Sequence, residues 1–210
     1  MTTPYELWHS PGARSLRVLW TLEELGLANQ VTVHVLGFPP RVHHEEYLGI
    51  NPLGSIPYFR HGEVRLSKSM AICEYLASRH QGGLDIQAHE IGYAAYRQYC
   101  YFGEATLMPP LGILVRQLLL LTEEQRSPSV MYNARQLFRD RQAPLVEVLR
   151  HQDVLAGGRF SLADISVGYA LSLADSLGEQ KLFVPEVANY LQRLTSRPSY
   201  VRARRHLEPQ

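Results

Sequence analysis

The stretch from Asn51 to Leu76 constrains the fold most, because turn, strand and helix signals follow one another closely within it. An Asn-Pro pair and a nearby glycine open the stretch and predict a turn. Pro57 has no N–H to give to a strand ladder, so it belongs at a sheet edge or in a cis turn where a short strand begins. His61-Gly62 predicts a hairpin turn that leads into a second strand.

This arrangement suits the binding of an extended ligand. Ile56 precedes the proline, so its backbone N–H and C=O are available to pair with a guest. Ser69 then opens a predicted helix that runs through Leu76. The first turn of a helix carries unpaired N–H groups and a partial positive charge, where a carboxylate can dock.

The start of the chain predicts a strand, a helix and a second strand. Tyr5 to Trp8 is a short apolar run, and a turn signal of His, Ser, Pro and Gly follows it. Apolar residues recur at helical spacing from Ser15 to a terminal Gly26, and the alternating, β-branched run from Val31 to Leu36 reads as a strand. This order favours a parallel pair of strands with a right-handed crossover.

The complete first half therefore reads βαβ-α-ββα. A short irregular helix is expected at His43 to Leu48, and the stretch that begins at Asn51 adds two strands and a helix ending near His80. Gln81-Gly82-Gly83 is a natural linker, and after about Asp85 the periodicity is helical. The sequence predicts a first domain at 1–82 and an all-helical domain at 88–210.

Proline positions and a cap organise the predicted helices of the second half. One long helix is expected over Ala88 to Leu121 with a kink at Pro109-Pro110, and a second over Glu123 to Arg150 with a bend at Pro144. Ser161 and Asp164 form a capping box before a buried helix that ends at Leu177. Two shorter helices, Val184 to Leu194 and Pro198 to His206, complete the chain.

Composition excludes several classes of partner. The chain has 21 basic and 20 acidic residues and a formal charge of +1, so its totals indicate neither a nucleic-acid partner nor an acidic membrane. Cys73 and Cys100 lie far apart, and His43-His44 diverge on a helix, so neither a disulfide scaffold nor a metal site is expected. No signal segment or long apolar run occurs, which favours a reduced, cytosolic protein.

The central stretch resembles the glutathione-binding half of glutathione S-transferases. The residues that carry the resemblance are Asn-Pro-x-Gly-x-Ile-Pro, the hairpin, and Leu-x-x-Ser-x-Ala-Ile-x-x-Tyr-Leu, and the likeness extends over nearly the whole chain. It implies a thioredoxin-like first domain and a helical-bundle second domain. It also implies a cytoplasmic homodimer that acts in detoxification, with glutathione as co-substrate and no other cofactor.

The resemblance assigns the glutathione site to four residues. Ile56 pairs its backbone with the cysteinyl part, Pro57 fixes that geometry in cis, and Ser69 holds the γ-glutamyl carboxylate. The family normally has Glu or Gln where this chain has Lys68. An ammonium cannot accept the hydrogen bond that the ligand's amino group offers, so Lys68 either pairs with the γ-glutamyl carboxylate or points into solvent.

The group that activates the thiol is expected in the loop after the first strand. Trp8 stands where tyrosine-type members carry their tyrosine, and Ala13 stands where several serine-type members carry their serine. The remaining hydroxyls are Ser15, which is favoured but also explained as a helix cap, and Ser10. Arg14 occupies the position of the reactive cysteine in the bacterial beta class, and it supports either the thiolate or the glycyl carboxylate.

A second substrate would lie along the long helix, near its bend. The candidates are Tyr96, Tyr99, Phe102 and Met108, a stripe that equally suits a core. The expected reaction is attack of the thiolate on a small electrophile or a peroxide, with disulfide exchange at the same site. The alternative is a transferase-like binding or scaffold protein in which glutathione chemistry is weakened or lost.

Overall fold

The computed structural model describes residues 4–39, 43–80 and 82–205. These residues form two compact units. The described residues of Met1–Asp85 and Arg197–Gln210 make up the first unit, and Ile86–Ser196 make up the second.

The first unit contains a four-stranded sheet and its helices. Its elements are β1 (Tyr5–His9), α1 (Ser15–Glu24), a 3₁₀ turn (Ala28–Gln30), β2 (Val31–Val35), α2 (Tyr47–Ile50), β3 (Tyr58–His61), β4 (Val64–Leu66), α3 (Ser69–Arg79) and α10 (Pro198–Arg204). Among its described residues, the second unit contains helices joined by turns and loops, and no strand. Its elements are α4 (Tyr93–Tyr101), α5 (Met108–Val115), α6 (Pro128–Asp140), α7 (Ala143–Leu149), α8 (Leu162–Ser176) and α9 (Pro185–Thr195), with π-helical stretches at Phe102–Leu107 and Arg116–Leu120 and 3₁₀ turns at Glu123–Gln125 and Gln180–Leu182.

The sheet has the strand order β2-β1-β3-β4. β1 pairs with β2 in parallel and with β3 antiparallel, and β3 pairs with β4 as a hairpin. The register places Tyr5 opposite both Val31 and His61, and Trp8 opposite Tyr58. This confirms the predicted thioredoxin-like order.

Helix α1 is the centre of the first unit. All its residues from Ser15 to Leu22 are buried, and the helix packs on α3 and α10. Glu24, at its end, accepts hydrogen bonds from Trp20, Arg197 and Ser199. A continuous buried face explains why this helix was predictable from apolar spacing alone.

The last helix packs with the first unit. The sequence reading assigned Pro198 to His206 to the helical domain, whereas α10 clusters with the sheet unit. The cause is specific, because Arg197 forms an ion pair with Glu24 at 2.7 Å and Tyr200 packs edge-on against Trp20. His206 lies outside the described residues, as does Gln81 of the predicted linker.

Helix α8 is the buried centre of the second unit. Ser161 and Asp164 form the predicted capping box, and the Asp164 carboxylate also accepts from the Leu155 N–H and the Tyr190 hydroxyl. Burial raises the pKa of Asp164, and the hydrogen bonds from Tyr190, Leu155 and the N–H and hydroxyl of Ser161 oppose that rise. The motif therefore stabilises the fold, as the sequence predicted.

The two long helices differ from their predictions. The first begins at Tyr93, five residues after the expected Ala88, because Gly92 precedes it in a left-handed conformation with φ +91°. It then runs through a π-helical stretch in which the Met108 N–H donates to the Gly103 carbonyl, just before the paired prolines.

The prediction of one helix over Glu123 to Arg150 was wrong, because two separate helices occupy this segment.

Two prolines divide that second segment. Pro128 begins α6 and Pro144 lies in the first turn of α7, so each marks a separate helix start. Proline lacks the N–H that a helix interior needs, but the first turn of a helix does not use that group. A helix break is therefore favoured over a bend.

Within the described residues, no helix is long and apolar enough to cross a membrane.

Candidate functional site

The site predicted from sequence lies at one edge of the sheet. β1 and β3 are antiparallel, so the end of β1 and the start of β3 meet where Trp8 pairs with Tyr58. The loop of residues 10–14 leaves this edge, and Ile56-Pro57 enters it. We call this region the β1 carboxyl edge.

A buried asparagine shapes the turn before β3. The Asn51 side-chain amide donates to the Ser55 carbonyl at 2.8 Å, and its oxygen accepts from the Leu53 N–H at 3.2 Å. The Tyr47 hydroxyl donates to the same Ser55 carbonyl at 2.7 Å. These contacts hold the chain in place immediately before Ile56.

The Ile56-Pro57 peptide bond is cis, as predicted. Ile56 is half-buried, and no hydrogen bond joins its backbone N–H or C=O to another described residue. These two backbone groups are therefore available to pair with the backbone of an extended ligand. The pairing of Ile56 with glutathione stays a prediction.

The two candidate hydroxyls differ in their partners. Ser15 Oγ lies 2.8 Å from His9 Nδ1 and accepts from the Ser10 N–H at 3.4 Å. Ser10 Oγ has no hydrogen-bond partner among the described residues. Both serines are 0% exposed. The pairing of Ser15 with His9 was missed, since two residues six positions apart carry no sequence signal of contact across a turn.

Basic residues precede both helices that begin near this site. Arg14 occupies the N-cap position of α1 and Lys68 that of α3, and neither first turn contains an acidic residue. Arg14 is half-buried and Lys68 is exposed. A cation at a helix N-terminus is unfavourable unless an anion is present, so this edge of the unit is suited to negatively charged groups.

A buried arginine connects the two helices. Arg17 is 0% exposed, and its guanidinium donates to Ser69 Oγ at 3.2 Å. Ser69 is the first residue of α3, and Lys68 rather than Ser69 is the cap. Sequence reasoning missed this link; the place of Arg17 within an apolar helix face was the available signal.

Cys73 and Cys100 are free and buried. Burial raises the pKa of the Cys73 thiol to about 12, so this thiol is protonated at neutral pH. It is therefore not a nucleophile of the site. Among the described residues, no group of three or more His, Cys, Asp or Glu side chains is arranged to hold a metal ion.

Three of the four residues predicted for a second substrate are core residues of the second unit. Tyr96, Tyr99 and Met108 are 3%, 4% and 3% exposed. The Tyr99 hydroxyl donates to the Pro144 carbonyl at 3.2 Å, and Phe102 is half-buried edge-on against Tyr99. Their packing role is evident, and their contact with a substrate stays a prediction.

A mixed four-stranded sheet with a cis-proline at its edge, followed by a helical unit, defines a thioredoxin-like two-domain protein. The model for the glutathione S-transferase N-terminal domain matches residues 3–78, and that for the C-terminal domain matches residues 107–198. Glutathione S-transferase A from Pleuronectes platessa is 30% identical over 200 residues, which cover 92% of this chain and 87% of the relative. The chain belongs to the glutathione S-transferase family.

Solved structures agree with this assignment. The theta class glutathione S-transferase from Xanthomonas axonopodis pv. citri, a structure with glutathione bound, has a TM-score of 0.83 and 25% identity, covering 96% of this chain and 97% of that one. Glutathione transferase URE2P8 from Phanerochaete chrysosporium has a TM-score of 0.83 and 22% identity, covering 99% and 97%. At that identity, the second likeness concerns the fold alone.

Proposed function

We propose that this protein is a glutathione transferase that binds glutathione at the β1 carboxyl edge. The observation that carries the proposal is the unpaired backbone of Ile56 beside a cis-proline. Such a segment pairs with the backbone of a tripeptide as an added strand would. The structural relative from Xanthomonas, whose structure contains glutathione, supports the choice of ligand.

The charges at the edge suit the two carboxylates of glutathione. The γ-glutamyl carboxylate docks at the start of α3, where Ser69 receives a hydrogen bond from Arg17. Lys68 beside it supplies a cation rather than the acceptor that the ligand's amino group would prefer. The glycyl carboxylate or the thiolate is compensated by Arg14 at the start of α1.

Thiol activation then requires a donor that favours the thiolate, because a free thiol has a pKa of about 8.5. Ser10 has a hydroxyl that no described residue engages, and Ser15 has one bonded to His9. Either hydroxyl, with Arg14, can lower the pKa of the bound thiol. The thiolate then attacks a small electrophile or a peroxide, with orientation in the site supplying part of the rate.

The test is the pH dependence of thiolate absorbance with glutathione bound. Wild-type protein is expected to bind glutathione and lower the pKa of its thiol. One of Ser10→Ala, Ser15→Ala or Arg14→Ala should raise that pKa by about one unit or more while binding persists, which identifies the donor. An unchanged thiol pKa in bound wild-type protein would contradict the catalytic proposal.

Burial of both hydroxyls favours a second candidate, a binding or scaffold protein without the chemistry. Ser10 and Ser15 are 0% exposed, and Lys68 replaces the residue that normally accepts from glutathione. Calorimetric titration separates the two proposals. The absence of heat at millimolar glutathione would support the scaffold, whereas binding with a lowered thiol pKa would exclude it.

We also infer a cytoplasmic homodimer that acts in detoxification, on the strength of family membership. Light scattering coupled to size-exclusion chromatography tests the dimer. A mass of twice the 23.9 kDa chain is expected, and a monomer would overturn this part of the proposal.

A further inference from the structure

The opposite edge of the sheet contains a separate open cavity. Tyr5 and Val31 begin β1 and β2, and His61 ends β3, so these three residues meet at the amino end of β1. A cavity of about 670 Å³ opens there. The four residue-to-residue steps of β1 from Tyr5 to His9, at about 3.3 Å each, separate it from the glutathione edge by roughly 13 Å.

The lining of this cavity is basic and polar. Arg79 and His80 enter from the end of α3, His61 from β3, and Asn29 and Thr32 from the segment around the start of β2. None of the described residues that line it carries a carboxylate. The guanidinium, imidazole, amide and hydroxyl groups of this lining can all donate hydrogen bonds to an oxyanion. An arginine can bind such an anion through two parallel N–H bonds.

Two tyrosines hold the histidines of the cavity. The Tyr5 hydroxyl lies 2.8 Å from His80 Nε2, and the Tyr75 hydroxyl lies 2.8 Å from His61 Nδ1. The Tyr5 ring lies between the two imidazoles, with its centroid 4.6 Å from that of His61 and 6.2 Å from that of His80. Each histidine is thus oriented through one ring nitrogen, and its other nitrogen remains available to a ligand.

Among the described residues that line the cavity, Arg79 is the one permanent cation, and no carboxylate accompanies it. Burial lowers the pKa of His61, and Arg79 and His80 lower it further. Arg79 stacks over the Tyr75 ring at 5.5 Å, and none of the ion pairs found among the described residues involves it. The nearby acid Glu6 is engaged by His34 and Arg60 instead.

We propose that this cavity binds the phosphate group of a small phosphomonoester, at a site distinct from the glutathione edge. Arg79, His61 and His80 bind the phosphate group. Asn29 and Thr32 contact the organic part of the ligand. The volume lies within the range of about 300–1,000 Å³ typical of small-molecule sites, so it accommodates more than inorganic phosphate alone.

Calorimetric titration of the full chain with phenyl phosphate, inorganic phosphate and succinate tests this inference. Phenyl phosphate is expected to bind at about millimolar concentration or tighter, inorganic phosphate more weakly, and succinate at least about tenfold more weakly than phenyl phosphate. Equal binding of succinate, or no binding of either phosphate, would overturn the proposal. Saturating phosphate should leave glutathione binding unchanged, so the outcome does not depend on the proposed function.

Variants locate the binding. Arg79→Gln, at an exposed position, should weaken phenyl phosphate binding about tenfold, the scale of one charge-assisted hydrogen bond. Arg204→Gln removes an equally exposed charge from α10 and should change binding less than about twofold. In NMR titrations, bound phosphate should raise the pKa of His61 from its lowered value. Equal effects of the two variants, or an unmoved His61 pKa, would refute the site.

Discussion

At the scale of single residues, two cations distinguish this chain. Arg14 and Lys68 each occupy the N-cap position of a helix whose first turn lacks an acid. Uncharged or acidic caps would stabilise these helices better. An anionic group of a bound ligand offsets this cost at Arg14, whereas the exposed Lys68 lacks the acceptor that the ligand's amino group requires.

Lys68→Gln should therefore tighten glutathione binding, because glutamine can accept from the ligand's amino group. We expect a decrease in Kd of about tenfold, measured by calorimetry. Lys181→Gln, at the chain's only other lysine, is the matched control and should leave the Kd unchanged. Both other results would contradict this prediction: a weaker affinity in Lys68→Gln would mean that Lys68 itself binds the γ-glutamyl carboxylate, and an unchanged affinity would mean that it points into solvent.

At the scale of elements, the Glu24 carboxylate is the most buried of the ionic contacts that attach helix α10 to α1. Glu24 is 11% exposed in its side chain and accepts from Arg197 at 2.7 and 2.9 Å. Burial acts to raise the pKa of Glu24, but the hydrogen bonds from Arg197 and Ser199 outweigh it, and the pKa is lowered. The stability that this carboxylate contributes is therefore present above its ordinary pKa of 4.5 and is lost as the pH falls through its lowered value.

Glu24→Gln should lower the free energy of unfolding by about 2 kcal/mol at neutral pH, as judged by urea denaturation. The difference from wild type should shrink as the pH falls below the ordinary value of 4.5 and through the lowered pKa of Glu24. Glu23→Gln is the matched control, because its partner Arg202 is 48% exposed, and it should cost less than about 1 kcal/mol. A pH-independent loss in Glu24→Gln would contradict the ionic attachment of α10.

A close approach of two helical segments depends on Gly103. A Cβ added there would lie 2.3 Å from Ser166 Oγ and 2.6 Å from the Ser166 backbone, whereas one added at Gly112 would meet nothing within 4 Å. Gly103→Ala should therefore destabilise the protein by about 2 kcal/mol or more. Gly112→Ala, in α5, should stabilise it by about 0.5–1 kcal/mol. Similar thermal unfolding of the two variants would argue against this contact.

At the scale of the whole molecule, local patterns predicted the first unit better than the second. In the first unit, the spacing of apolar residues in α1, the alternation in β2 and the cis-proline motif each predict their element locally; in the second unit, the Ser161 capping box does the same for α8. The break between α6 and α7 could not be predicted from the sequence, because a proline is compatible either with a bend in one helix or with the start of a new helix. The attachment of α10 to the sheet unit depends on contacts distant in sequence, such as Glu24 with Arg197.

Some residues of the candidate site could likewise be predicted from the sequence, whereas their contacts with distant segments could not. Ile56, Pro57 and Ser69 are adjacent in sequence to the turn and helix that position them, so their places were predictable. The link from Arg17 to Ser69 and that from Ser15 to His9 depend on how separate segments fold together. Burial of Tyr96, Tyr99 and Met108 likewise depends on neighbours that periodicity cannot identify.

The central claim is that glutathione pairs with the backbone beside Pro57 and reaches the start of α3. Titration of ¹⁵N-labelled protein with glutathione, followed by NMR, tests this most directly. The account predicts saturable shifts of the Ile56 and Ser69 amide signals at the same ligand concentration, while the His61 amide at the other edge of the sheet stays in place. Binding that leaves the Ile56 and Ser69 signals unmoved would contradict it.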